Sequence, residues 1–312
     1  MSDPALVRAA TAAIAKGSKS FAAAARLFDR ETRESAVMLY AWCRHCDDLV
    51  DEQEFGFARE RSAALASEAP DRVAYLERRT RAALAGEGQA EPAFAALAAV
   101  AARHAIPERL PLQHLAGFRM DITGRRYRTI DDTLDYAYHV AGVVGVMMAR
   151  IMGVRDPAVL DRASDLGIAF QLTNIARDIV EDAGAGRVYV PETWLADAGI
   201  PREEIADAHH RPALARVAAR LIEHAEPYYG SAAAGIPALP LRSAWAIATA
   251  RGVYRQIGVE VRRRGSAAWD ERVSTSKLAK LGHVAAGGAT ALVTRLSTGG
   301  GPPRRGLYER PV

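Results

Sequence analysis

Cysteine is scarce in this chain: Cys43 and Cys46 are the two among 312 residues. So low a count excludes a secreted disulfide scaffold and fits a reducing compartment. Their Cys-x-x-Cys spacing has no second pair to complete a structural zinc site. The pair also sits inside a helical run, so both thiols are expected as small buried apolar groups. Long apolar runs are missing too. No stretch reaches the ~20 residues that span a bilayer, and the best candidate, around 140–152, is broken by Arg150. Residues 1–15 show no basic start followed by a continuous apolar core, so no signal peptide is expected. Aromatics make up 7%, which with abundant alanine disfavours a β-sandwich and favours helices. Charge of one sign is lacking as well. The net charge is +4, and Arg304, Arg305 and Arg310 less Glu309 put half of it in the last residues. No basic stripe interleaved with aromatics appears elsewhere, so nucleic acid is not an expected partner.

What is present is helical periodicity almost throughout. The expectation is an all-α chain, a single domain over 1–296 with a disordered Gly/Pro-rich tail at 297–312. Helices are expected over 1–16, 32–55, 60–84, 92–105, 107–122, 131–152, 156–182, 213–234, 241–264 and 274–286. The segments 86–89 and 183–186 read as loops, and His209 and His210 fall in an exposed connector before Pro212. Ser18 and Ser20, beside Lys19 at a helix start, suit either a simple N-cap or an anion-binding corner. Ala141, Gly142 and Gly145 allow close approach to a helix backbone, either by another helix or by a ligand chain, beside the apolar Val144, Met147, Met148 and Ile151.

Two stretches carry the chemistry. On a helix, Gly167, Gln171, Asn174, Asp178 and Asp182 follow one another at offsets of four, three, four and four, so they share a face, with Ile168, Leu172, Ile175 and Ile179 opposite. Carboxylates one turn apart repel unless protons, cations or water intervene. Tyr40, Arg44, Asp47, Asp48 and Asp51 form a second such face. Hard oxygen ligands without histidine or thiolate favour Mg2+, with Mn2+ as a substitute, over zinc or copper. Each face alone could be a solvated acidic helix. Opposed across a bundle, the two would hold a diphosphate through bridging metal ions.

These stretches resemble the paired signatures of the squalene and phytoene synthase family, and most of all its bacterial phytoene synthases. The second signature reads Leu-Gly, three residues, Gln, two, Asn-Ile, one, Arg-Asp, an apolar residue, two, Asp, four, Arg, one, Tyr, one, Pro, and residues 166–191 fill every position. Residues 136–145, from Tyr136 through Gly145, are similar to the family's other signature, and the likeness extends over about 20–285.

The resemblance implies an isoprenoid-synthase-type helical bundle with a central cavity, acting on two prenyl diphosphates head to head. Asp47, Asp51, Asp178, Asp182 and Asn174 would hold the metal. Arg44, Arg177, Arg187, Arg272, Ser18 and Ser20 would grip phosphate, with Phe21, Ala141, Gly145 and Tyr189 in substrate contact. Tyr136 would face the reacting carbons, and Tyr40, Tyr136 and Tyr254 would stabilise a carbocation. Gln171 would orient metal-bound water or diphosphate, while Asp121 stands behind the ligands. The implied sequence joins two geranylgeranyl diphosphates into prephytoene diphosphate and then phytoene, a step of carotenoid biosynthesis that releases diphosphate. NADPH, which squalene synthases use as a hydride donor, is not expected, nor is an obligate protein partner. The expected location is cytoplasmic, with peripheral contact to the inner membrane face left open. A C15 substrate is the nearest rival. Chain elongases and terpene cyclases share Asp-Asp-x-x-Asp but not 174–182, and a non-catalytic assembly protein would not be expected to keep all four carboxylates.

Overall fold

The computed structural model describes residues 4–17, 24–51, 53–54, 57–58, 69–89, 91–295 and 303–311; the side chains of 13–17, 51, 53, 54, 57, 58 and 69–71 are outside that description. Ser18, Ser20 and Phe21 lie outside the described residues.

Twelve α-helices are described: α1 Pro4–Gly17, α2 Arg30–Asp51, α3 Ala69–Leu84, α4 Pro92–His104, α5 Arg109–Ile122, α6 Ile130–Ala137, α7 Val143–Ile151, α8 Pro157–Gly184, α9 Glu192–Asp197, α10 Arg211–Ala233, α11 Leu241–Arg264 and α12 Lys277–Val293. A π-helical turn, Tyr138–Gly142, joins α6 to α7. Local chemistry accounts for several boundaries. Asp29 caps α2 by accepting from the Thr32 amide at 2.9 Å, and Asp156 caps α8 from Ala158 at 2.9 Å with Pro157 in the first turn. The first acidic helix was expected to reach residue 55 but stops at Asp51, because Gln53–Glu54 pairs antiparallel with Phe57–Ala58. The last helix begins three residues later than expected, where the Ser276 side chain accepts from Ala279, and runs on to Val293.

Buried apolar side chains from Ala10 to Ala291 form one contiguous core. Helix α8 packs against α10, α11, α7 and the π turn, while α2 packs against α1, α3 and α4. Helix α7 touches both groups and holds them either side of a cavity. The crossing of α8 with the π turn and α7 is backbone against backbone. A Cβ on Gly145 would lie 2.3 Å from the Ala163 carbonyl oxygen, and one on Gly167 would lie 2.3 Å from that of Ala141. Glycine is required there, since no rotamer adjustment moves a carbonyl. The His114 ring donates to the His139 carbonyl at 3.2 Å within the π turn, and burial pulls its pKa down to about 4, so it is neutral.

The chain end differs from expectation. Residues 303–311 lie against the bundle instead of forming a disordered tail. Arg304 donates from Nε and Nη2 to the two oxygens of Asp165 at 2.8 Å each, and Asp165, wholly buried, also accepts from Ser231. Arg310 pairs with Asp161 at 2.5 Å, and Tyr308 stacks on Tyr138 at 5.5 Å while donating to Asp135. A buried carboxylate must find a cation, and composition alone does not show that the cation lies 139 residues away.

Two stability outcomes follow. Arg304→Ala leaves Asp165 buried with Ser231 as its one remaining neutral partner and should cost about 3–5 kcal/mol in chemical denaturation, with Arg304→Lys recovering part. Gly167→Ala should cost about 1–3 kcal/mol by the same measurement, whereas Ala at Gly184, which meets nothing within 4 Å, should be tolerated.

Candidate active site

A cavity of about 580 Å³ lies between α2 on one side and α7, α8 and α11 on the others. Tyr40 and Cys43 enter it from α2, and Gly167, Phe170, Gln171 and Asn174 from α8. The two signature helices therefore look into one space. Ala141 and Gly145 border it as well, so the small residues serve both the helix crossing and the cavity wall. Along α8 the lining continues back to Val159, fifteen residues from Asn174 and so roughly 22 Å. Nearly all of that shaft is apolar, with Val144, Met148, Ile236 and Leu239 among its walls.

One turn past Cys43 on α2 and one turn past Asn174 on α8, outside the residues that line the cavity, stand arginine–carboxylate pairs. On α2, the Arg44 guanidinium meets Asp47 at 2.8 Å and Asp48 at 2.6 Å. On α8, Arg177 donates to both oxygens of Asp178 at 2.8 and 2.5 Å. Arg272, from the turn before α12, reaches the same carboxylate at 3.2 and 3.4 Å. Burial works to raise the pKa of Asp178, but these two guanidiniums overcome it and hold the group below the usual carboxylate value. Asp182 behaves in the opposite way. Burial, reinforced by the neighbouring charge on Asp178, pushes its pKa up to about 7 in spite of Arg187. Asp51 ends α2, with its side chain outside the described set.

The donor set suits a hard divalent cation. Asn174, one turn before Asp178, has its side-chain oxygen buried without a hydrogen-bond partner, and its amide reaches Gln171 at a marginal 3.5 Å. An orphaned carbonyl oxygen in line with two carboxylates fits a ligand position. The acids do not converge into a closed cage. Among the described residues, the one trio of possible ligands within 4.8 Å of one another is Glu204, His209 and His210, on the connector before α10 and not lining this cavity. Open coordination leaves room for water and phosphate oxygens, as Mg2+ prefers.

Aromatic residues divide into two groups. Tyr254 stacks on Phe170 at 4.1 Å, and both face the cavity with Tyr40. Phe170 lies inside the second signature next to Gln171 and was legible there, but the sequence reading passed over it. Tyr136, expected to face the reacting carbons, does not line the cavity. Its ring stacks on Tyr189 at 4.5 Å, and its hydroxyl donates to Asp121 at 3.2 Å. Tyr189 donates to the other Asp121 oxygen at 3.0 Å, and its carbonyl accepts from Thr133. Asp121 thus ties the loop after α8 to α6, close enough to Asp182 to raise its pKa. Both cysteines are reduced and buried deeply enough that their thiols titrate above the ordinary value, Cys43 at about 12.

Known proteins resemble this chain in sequence and fold. The squalene/phytoene synthase family pattern matches residues 14–279. The chain is 57% identical over 296 residues to the 15-cis-phytoene synthase of Enterobacter agglomerans, covering 95% of this chain and 99% of that protein. It is 56% identical to the phytoene synthase of Pseudescherichia vulneris, over the whole of both. Among solved structures, a dehydrosqualene synthase in complex with a ligand superposes with a TM-score of 0.81 at 25% identity, over 93% of this chain and 97% of that one.

Asp182 gives the site a pH signature. Below 3.8 both folded and unfolded chains hold its proton; between 3.8 and about 7 the folded chain alone holds it; above 7 a buried charge is left. In metal-free buffer, the stability of the protein relative to Asp182→Asn should therefore fall as pH rises across that window. Denaturant melts of the two proteins at stepped pH check the sign.

Proposed function

This chain belongs to the squalene/phytoene synthase family, a family of prenyltransferases, and from that premise we infer how its residues join two geranylgeranyl diphosphates head to head into phytoene. The observation that carries the reading is a cavity that both signature helices line. It is apolar along the shaft of roughly 22 Å toward Val159, and its polar lining at Gln171 and Asn174 lies one turn from the acids of α8. That length is comparable with an extended geranylgeranyl chain, which supports C20 over C15 substrate.

The metal belongs to the divalent, oxygen-seeking class, and we assign Mg2+. Asp47, Asp51, Asn174, Asp178 and Asp182 would hold it, where it would neutralise charge developing on the departing diphosphate. The arginines contribute independently. Arg44, Arg177 and Arg272 are paired with the very acids that would take a metal. With those carboxylates holding a cation, the guanidiniums would be free to meet phosphate oxygens, for which their planar fork is well shaped. Ser18 and Ser20 are assigned to the same phosphate through the family pattern. Gln171 orients the polar groups at the mouth of the shaft.

As the allylic carbon–oxygen bond breaks, the electron pair leaves with diphosphate, and the carbon framework carries the positive charge. Tyr40, Phe170 and Tyr254 present ring faces to that cavity, where a quadrupole stabilises a cation without offering it a nucleophile. The apolar walls exclude water, which would otherwise quench the cation to an alcohol. Attack by the second chain's double bond gives a tertiary cation, which loses a proton as the three-membered ring closes to the cyclopropyl diphosphate. Its second ionisation, rearrangement and proton loss end in a hydrocarbon without any hydride donor.

Purified protein with Mg2+ and geranylgeranyl or farnesyl diphosphate, with and without NADPH, should yield a C40 hydrocarbon from the C20 substrate regardless of NADPH. A product that requires NADPH, or efficient C30 formation alone, would overturn the reading. Asp47→Asn, on a part-exposed side chain, should lower turnover at least ~100-fold with the melting temperature little changed. Met148→Trp, which fills the far shaft, should move selection from C20 toward C15.

A further inference from the structure

Helix α12 is built inside out. Its inner face packs on α11 through small residues: a Cβ on Gly287 would lie 2.4 Å from the Thr249 hydroxyl, and Gly288 faces the Trp245 ring at 3.3 Å. His283 fills the space beside Gly252 in the same seam. Apart from Val284, the bulky apolar residues are outside. Leu278 is 80% exposed, Leu281 66%, Leu292 58% and Val293 59%. Gly282, Ala285, Ala286 and Ala289 complete the outer stripe, and all four are exposed. A helix folding against water buries its leucines and shows its polar groups; this one does the reverse over its whole length. Leu278, Leu281, Leu292 and Val293 are four of the five large apolar residues exposed among those described.

Charge points to what covers the stripe. From Ser274 to Arg295 the chain carries Lys277, Lys280 and Arg295 and no Asp or Glu. The stripe also adjoins the cavity, because Lys280 and Val284, on the inner flank of the same helix, line it. At 17 residues α12 does not qualify as a span, and no described helix is long and apolar enough to cross a membrane. An apolar stripe with basic flanks and no acid suits a helix lying in the headgroup region of an anionic bilayer.

We propose that the outer face of α12 docks the enzyme on an anionic lipid bilayer, with Leu278, Leu281, Leu292 and Val293 entering the acyl boundary and Lys277 and Arg295 meeting headgroup phosphates. The choice of a bilayer over a protein partner rests on the proposed function, since a cavity that holds prenyl chains and yields a hydrocarbon has its substrate store and product sink in the membrane. Docking by α12 sets one cavity wall against that phase, so the chains need not traverse water.

The test uses the full chain with vesicles of phosphatidylcholine alone or mixed with phosphatidylglycerol, separated by flotation. The protein should float with the mixed vesicles and less with phosphatidylcholine alone. Leu278→Ser with Leu281→Ser should reduce flotation by ~10-fold or more, since two apolar side chains leave the acyl boundary. Lys277→Glu should abolish the preference for phosphatidylglycerol. Both side chains of the leucine pair are exposed, so the melting temperature should not move. Turnover of detergent-dispersed substrate should also be unchanged, while turnover of vesicle-borne substrate falls. Equal flotation of the double variant, or protein that stays in the aqueous phase with every vesicle, would overturn the proposal. So would a dimer in sedimentation velocity that the leucine pair converts to monomer, which would identify a second copy as the occupant. Flotation is read without turnover, and the detergent assay reads turnover without membranes, so loss of the enzymatic reading and loss of the docking face are separable.

Discussion

Carboxylates around an apolar cavity need cations at all times, and much of this structure arranges for them to have one. Asp178 is held ionised by Arg177 beside it and Arg272 from across the fold; Asp47 and Asp48 share Arg44. Among the described carboxylates, Asp182 differs from Asp178 in taking up a proton, at about 7. Under the proposed function, the same guanidiniums that quiet the acids in the resting protein would be the groups offered to an incoming diphosphate. Arg272 reaches Asp178 from the turn that follows α11, which packs along α8, while α7 touches both α2 and α8.

Much of this was legible in the chain. The spacing of Gln171, Asn174, Asp178 and Asp182 is a helical spacing, and it is the pairing of this polar face with the one on α2 that pointed to a cation over a solvated acidic helix. Ala141, Gly142 and Gly145 announced a close approach, and both the crossing and the cavity wall use it, while the matching requirement at Gly167 was not read from the chain. What escaped was long-range. Tyr136 belongs to a signature, yet it braces Asp121 against Tyr189 and does not line the cavity, because ring orientation depends on a loop fifty residues on. Asp121 itself looked peripheral, although it joins two elements next to Asp182.

The chain end was misread for a related reason. Glycine and proline at 298–303 are marks of irregular backbone, and irregular backbone was equated with disorder. Charge pairing decides otherwise, since Arg304 and Arg310 satisfy Asp165 and Asp161 on α8, one of them fully buried. Helix α12 presents the converse case. Its leucines would be assigned to a core by periodicity, and only the glycine seam against Thr249 and Trp245 shows which face is inside.

The π turn at Tyr138–Gly142 carries one surplus residue relative to a regular helix, and that residue sets the phase of everything after it. Deleting one position there would restore ordinary winding but swing α7 by about 100° about its axis. Gly145 would leave the Ala163 carbonyl, a neighbouring side chain would be driven into it, and Val144 and Met148 would turn away from the shaft. Length, more than residue identity, is therefore the inherited quantity in this segment. Change in the family can be expected to proceed there by substitution, with single-residue insertions and deletions confined to the loops.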